Sequence, residues 1–421
     1  MINKFSCKNF RNIDVTDLQL ARINLLIGPN NSGKTNFIKA LTFYSDILLN
    51  ANDGSLKTAF LNAVARNNWD HARNKFVGEN EAIQFSWDII LNGEPVRYNF
   101  SFNVGNNSKD CHIVLEQLNS TVSAGPGYPK KFNYFQCHDQ QIGYGLFSTA
   151  IKRGQKNQRL KVELNSQEIL PLQFKDILLN DKNLYEKTLI RENVRVLVDE
   201  LEDFFKGIHV YTSAQFNIQK LREPADAKGM DSFLKPDATN FLNVFAKLDA
   251  EDWHFVDSFK AKMQELIPGL TKINYVNQQQ KLLFRLVYDG QQYDLSDVSE
   301  GTLKGILLNL LINMPQSEEQ TVIAIDEPET NLHPAWQKVV GKWLQTTSAF
   351  QQCFISTHSP DFLDVFTDMF KLGKVAVFVF DKGITTSIRK VTYEEIKDEM
   401  GDWELGDLYR TNDPALGGWP W

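Results

Sequence analysis

One short stretch limits what this chain can fold into more than any other. Gly28-Pro29-Asn30-Asn31-Ser32-Gly33-Lys34-Thr35 fits the spacing G-x-x-x-x-G-K-[ST] in full, between the apolar run Ile23-Asn24-Leu25-Leu26-Ile27 and the helix-like Asn36-Phe37-Ile38-Lys39-Ala40-Leu41. The spacing carries its own chemistry. Glycines let backbone N–H groups wrap a phosphate chain, and the helix that follows turns its positive end toward them. Lys34 then reaches the β and γ oxygens and Thr35 ligates Mg²⁺. Asn30, Asn31, Ser32, Gly33, Lys34, Thr35 and Asn36 are accordingly expected to hold a nucleotide. A chance match to the motif in a chain of this length arises on the order of once in a hundred, from average composition. A strand before the loop and a helix after it make chance a still poorer account.

Three further stretches belong with that loop. Thr321-Val322-Ile323-Ala324-Ile325-Asp326-Glu327 reads as an apolar strand ending in two acids. There Asp326 is expected to hold Mg²⁺ through water, and Glu327 to position and activate an attacking water. Such strand ends are common, and the assignment gains force from its pairing with the phosphate loop. A third strand, Cys353-Phe354-Ile355-Ser356-Thr357, delivers His358 to the same sheet edge, where a γ-phosphate sensor has to sit. Finally Ser299-Glu300-Gly301-Thr302 opens the helix LKGILLNLLINM, a second helix start able to bind an anion.

The rest of the chain supplies context. With 421 residues there is room for one large α/β domain with an insertion, or for two domains. Residues 1–150 are expected to form an N-terminal lobe with the phosphate loop and antiparallel strands. Residues 151–290 then form a helical or lid insertion with a hairpin, and 291–421 a C-terminal lobe. Alternation in AIQFSWDIIL, EPVRYNFSFNV and CHIVLEQL predicts antiparallel strands over 82–120. The opening KFSCKNFRNIDVTDL reads as one strand, 160–206 as helical, 220–240 as a loop or lid, and INYVNQQQKLLFRLVYDGQQYDLSDV as a hairpin turning at Asp289-Gly290. From 296 onward helices and strands alternate, the order of a parallel sheet with helices on both faces.

A net charge of −7 does not advertise nucleic-acid binding, so a DNA contact needs a local basic surface; TAIKRGQKNQRLKV, 149–162, is the best candidate. No apolar run approaches the roughly 20 residues that cross a bilayer, and the N-terminus lacks a signal-peptide core, so the expected location is the cytoplasm with no membrane contact. Four scattered cysteines suit a reducing compartment. Cys111-His112 and Cys137-His138 make a poor zinc site, because adjacent ligands lack the usual spaced geometry.

Taken together, the phosphate loop, Ser299-Glu300-Gly301-Thr302, Ile325-Asp326-Glu327-Pro328-Glu329 and Ser356-Thr357-His358-Ser359-Pro360 resemble the ABC-type ATPases of the RecF, SMC and OLD group. The match is closest to compact stand-alone bacterial AAA family members with an EPExxLHP segment, here Glu327 to Pro334. The resemblance implies an α/β P-loop NTPase of ABC type: a mixed central sheet with helices on both faces, an antiparallel β subdomain and a short helical insertion. It also implies ATP as the nucleotide, with Mg²⁺, and a homodimer closed by ATP. In such a dimer Ser299, Glu300 and Gly301 act in trans on the γ-phosphate, Asn331, Leu332 and His333 link the two sites, and His358 is the switch histidine. Asn9-Phe10-Arg11 resembles the group's NFR motif and would put Arg11 near the nucleotide; Leu405-Gly406-Asp407-Leu408 and Leu416-Gly417-Gly418 resemble the compact members' C-terminus.

Departures narrow the expectation. Glu300 stands where transporters have glycine, which points to the chromosome-maintenance side of the superfamily. Gln84 and Gln117 are the available guesses for a Mg²⁺-contacting loop glutamine. The segment after His358 is too short for the Toprim domain of OLD nucleases, and Asp361 and Asp364 have the wrong spacing for its Asp-x-Asp pair. These features together imply an ATPase whose closing controls a DNA-related task, repair or defence against phage. A separately encoded effector such as a nuclease would then do the cutting, with double-stranded DNA as a possible direct ligand. The alternative is a slow ATPase serving as sensor or scaffold for a protein partner.

Overall fold

The computed structural model describes residues 1–49, 58–67, 69–78, 81–105, 110–123, 131–149, 159–179, 190, 192–226, 231–314 and 322–417. Residues 150–158 of the basic stretch, Thr321, Gly418 and the terminal tryptophans lie outside the described residues. The chain forms two compact units. One comprises Met1–Ala21, Pro29–Ile208 and Phe380–Lys390; the other comprises Arg22–Gly28, His209–Val379 and Val391–Trp421.

The first unit is built on an antiparallel sheet of eight strands. Their spatial order is Ile13–Gln19, Ile2–Phe10, Ile83–Leu91, Glu94–Asn103, His112–Ser123, Lys131–Cys137, Tyr144–Ser148 and Arg159–Glu163. Alternation explains its middle: Ile83, Phe85, Trp87, Ile89 and Leu91 are buried while the residues between them face outward. The buried face is aromatic. Phe43 stacks on Phe102 with centroids 5.1 Å apart, and Trp87 meets Phe205 edge to face at 5.1 Å. Phe205 arrives on helix Glu192–Lys206, which buries Val194, Leu197, Val198, Leu201, Phe204 and Phe205 along one stripe. Each such side chain stabilises the unit by roughly 1.5–3 kcal/mol.

Two expectations change here. KFSCKNFRNIDVTDL is a hairpin of two strands, paired Phe10 to Ile13, because Arg11 takes a left-handed φ of 53° and turns the chain. Gln84 and Gln117, proposed for a Mg²⁺-contacting loop, both lie inside sheet strands. Gln117 hydrogen-bonds Asn99 and Gln136 on the neighbouring strands, both at 3.2 Å. Three strands between 131 and 163 also join the sheet where the sequence pattern gave no clear period.

The second unit contains the parallel part of the fold. Val322–Asp326, Gln352–Ser356, Ile23–Ile27 and Val375–Asp381 lie side by side in that order, with Ile208–Thr212 flanking the first. Each reads as an apolar run and is buried along nearly its whole length, as expected of parallel strands covered on both faces. Helix Glu300–Asn313 is buried from Thr302 to Ile312 without a polar stripe. A smaller sheet joins Leu270–Gln278, Lys281–Tyr288 and Gln291–Asp294 into a meander that turns at Gln279-Gln280 as well as at the expected Asp289-Gly290. Part of the expected lid is ordered into it: Ala225–Asp226 pairs with Leu282 and Lys281.

Candidate nucleotide-binding and hydrolysis site

Parallel register sets the site's edge. Leu26 stands opposite Ser356, and Ser356 opposite Asp326, so Gly28, Thr357-His358 and Asp326-Glu327 all leave the sheet at the same end. Ligands of open parallel sheets bind at the carboxyl ends of the strands. Gly28 closes its segment of the second unit, and Pro29 opens the next segment of the first.

Within the first unit the loop and its supports are joined by side chains. Gly33 has a φ of 107°, and a Cβ there would fall 2.6 Å from Thr386 Oγ1. Thr386 donates to the Ser32 carbonyl at 2.7 Å and accepts from Asn12 Nδ2 at 2.6 Å. Asn36 donates to Asn12 Oδ1 at 2.7 Å and accepts from Arg11 Nη1 at 3.1 Å. Arg11 is thus tied to the start of the phosphate-loop helix, its other branch donating to the Asn67 carbonyl at 3.0 Å. Burial pulls its pKa down. Lys34 is buried, with Nζ on the Pro29 carbonyl at 3.0 Å, whereas Asn30, Asn31 and Thr35 are exposed. Helix Lys34–Leu41 has no side-chain cap. Its first amides fit an oxyanion, and the absence of a Cβ at Gly33 lets the loop pack against Thr386, Asn12 and Ile13.

Within the second unit, Glu327 is held by its backbone. Its φ of 53° is left-handed, an arrangement that costs about 1–3 kcal/mol where nothing offsets it. Four hydrogen bonds do so. Glu327 N donates to Ser356 O and Ser356 Oγ, both at 3.1 Å, and Glu327 O accepts from Ser213 Oγ at 2.8 Å and Lys304 Nζ at 2.9 Å. Ser356 Oγ also donates to Asp326 Oδ1. His358 Nε2 stands 3.7 Å from Glu327 Oε1, with Tyr409 Oη 3.5 Å from its Nδ1. Glu329 fixes the histidine backbone, accepting from His358 N at 2.7 Å, and burial raises its pKa.

The signature turn sits against the turn after Glu327. Ser299 caps helix Glu300–Asn313, accepting from Thr302 N at 3.2 Å. A Cβ on Gly301 would stand 2.6 Å from the Asn331 carbonyl, and Asn331 Nδ2 donates to Glu300 Oε2 at 3.3 Å. His333 is the N-cap of helix Pro334–Thr346, accepting from Ala335 N at 3.2 Å, with Pro334 at its first position. The C-terminal Leu405-Gly406-Asp407-Leu408 has a packing reason too. A Cβ on Gly406 would fall 2.2 Å from the Pro360 carbonyl, a close approach that lets helix Leu405–Arg410 carry Tyr409 to His358.

A sequence model of the AAA ATPase domain matches residues 1–363. The chain belongs to the AAA ATPase domain family. It is a P-loop ATPase, and it binds and hydrolyses ATP. Similar solved structures include an SMC head bound to the C-terminal winged-helix domain of ScpA, 12% identical, covering 94% of this chain and 99% of that one at a TM-score of 0.47. The SMC head domain from Thermotoga maritima is 12% identical over 93% of this chain and 98% of that chain, with a TM-score of 0.43. An SMC head with an extended coiled coil, bound to the C-terminal domain of ScpA from Pyrococcus furiosus, is 9% identical over 95% and 98%, at 0.46.

Lys304, Ser213 and Tyr409 lie outside the motifs that the sequence shows, and Glu329 belongs to one of them without a role expected of it. Lys304 alone left a signal, a single cation inside an otherwise apolar helix. Asp361 and Asp364 both lie within 3.5 Å of Arg410, and no group of three or more metal-ligating residues occurs among the described residues, the two Cys-His pairs included. No described helix is long and apolar enough to cross a membrane.

Proposed function

We propose that this ATPase closes as a homodimer around ATP and uses closure and hydrolysis to control a DNA-related process, repair or anti-phage defence, with a separately encoded effector. The observation that carries the reading is the left-handed Glu327, held through its backbone at the sheet edge where Gly28 and His358 also emerge. Lys34, Arg11 and the residues Asn30 to Asn36 bind the triphosphate, and Lys34 offsets its charge. Thr35 and Asp326 are oxygen donors of the kind Mg²⁺ takes, and the bound ion would neutralise charge on the β and γ oxygens. Glu327 accepts the proton of the attacking water as it adds to the γ-phosphorus. His358, oriented from behind by Tyr409 and Glu329, senses the γ-phosphate. Ser299, Glu300 and Gly301 meet the nucleotide of the partner copy.

The test is the ATP hydrolysis rate of the purified protein at fixed moderate salt, with and without double-stranded DNA, using Glu327→Gln as the blank. Stimulation by DNA is expected. A slow rate indifferent to DNA would replace the DNA-linked reading with a sensor or scaffold for a protein partner.

A further inference from the structure

Lys304 is a cation inside the buried helix that begins at Ser299, and it is 4% exposed. Its Nζ donates to the carbonyls of Glu327 and Thr330, both at 2.9 Å, and to Ser213 Oγ. Three ammonium protons therefore meet three acceptors, the arrangement that makes burial of a lysine tolerable. Two of those acceptors flank the turn from Glu327 to Thr330, and the third, Ser213, itself donates to the Glu327 carbonyl at 2.8 Å. One turn before Lys304, the same helix packs Gly301 under the Asn331 carbonyl. The helix and the turn after Glu327 are therefore locked at both Gly301 and Lys304, and a shift of the helix axis pulls directly on the Glu327 peptide.

We propose that Lys304 is a positioning residue for hydrolysis. It fixes the strained backbone of the chain's own Glu327 according to where the signature helix sits. Seating the signature on a partner's nucleotide then sets the carboxylate at the chain's own nucleotide. The inference rests on the roles given above to Glu327 and the signature. It adds the residue that joins them within one chain.

The experiment is a double-mutant cycle on the full chain. Lys304→Met and Ser213→Ala are each made in the wild-type and Glu327→Gln backgrounds, with kcat, KM and ATP affinity measured. Lys304→Met should lower kcat by roughly 10–100-fold while ATP affinity stays within about threefold, and Lys304→Arg should recover part of the loss. Ser213→Ala, which removes one donor to the same carbonyl, should lower kcat by about 3–10-fold. In the Glu327→Gln background neither change should lower the residual rate further, because both act through that residue. An unchanged kcat in Lys304→Met, or an equal fall in both backgrounds, overturns the inference. Should Lys304→Met fail to fold, a wild-type kcat in Ser213→Ala overturns it instead. Near-normal turnover by Glu327→Gln would remove the proposed function as well, whereas a slow Glu327→Gln beside an unaffected Lys304→Met removes the inference alone.

Discussion

The two helix starts of this ATPase solve one problem in opposite ways. Every helix leaves its first backbone N–H groups without intrahelical partners. At Lys34–Leu41 the cap position is Gly33, which has no side chain to offer. At Glu300–Asn313 the chain provides its own answer, with the Ser299 hydroxyl accepting from Thr302. Their lysines differ in the same sense. Lys34 rests on Pro29 within its own loop, whereas Lys304 reaches a serine and two carbonyls distant in sequence. The first helix start has no side-chain cap and the second is capped within the fold, so under the function proposed above the first takes the chain's own nucleotide and the second meets the partner's.

That contrast breaks most easily at its two charged ends. Glu327→Gln should bind ATP with ordinary affinity and lose turnover by about 10²–10⁴-fold, the size expected for removing a general base. Lys34→Ala should instead lose ATP binding, by roughly a hundredfold or more, since the buried ammonium offsets triphosphate charge. Equilibrium nucleotide titration beside steady-state turnover separates the two. If both variants lose affinity alike, the division between capture and catalysis is wrong. A smaller effect sharpens the other half of the comparison. Ser299→Arg removes the cap and adds bulk at the signature turn, so ATP-dependent dimers should disappear in sedimentation while a single copy still binds ATP. Dimers that form as before would take the signature out of the interface.

The same difference decides what the sequence could reveal. The phosphate loop was legible because its chemistry is local: glycine, lysine and threonine at fixed spacing, with Asn36 and the NFR stretch close by. The apolar strand ending in Asp326-Glu327 and the one delivering His358 were legible from their runs and ends. What surrounds Glu327 was not, because Ser213, Lys304, Ser356 and Tyr409 come from widely separated parts of the chain. Strand order and register bring Ser213 and Ser356 there, and two helices deliver Lys304 and Tyr409. Helix Glu300–Asn313 was recognisable as a helix with Lys304 as its single cation, but a helix buried all round shows no periodicity that says what Lys304 meets. Strand Lys131–Cys137 stayed hidden because its burial follows no strict two-residue period, and Arg159–Glu163, though it alternates, is only five residues long.

The smallest expected effect concerns stability, and it isolates the first unit. Glu116 is fully buried, accepting from Tyr98 Oη at 2.7 Å, Tyr44 Oη at 3.0 Å and Leu170 N at 2.9 Å. Burial pushes its pKa from 4.5 up to about 7, with those three donors pulling the other way. Between these two values the folded chain keeps a proton that the unfolded chain has released. Stability therefore falls as pH rises through that window, is greatest below it, and levels off above it. His138, depressed by burial from 6.5 to about 4, works in the opposite direction, since the unfolded chain holds the extra proton there. A single pH slope on the wild type would mix the two groups, so the informative quantity is the difference between wild type and Glu116→Gln. The amide cannot ionise, yet it leaves His138 untouched. Urea midpoints at pH 5 and pH 8 should show the wild type losing on the order of 1–3 kcal/mol more than the variant across that range. Equal losses would mean that the three donors hold Glu116 ionised in the folded state and outweigh its burial.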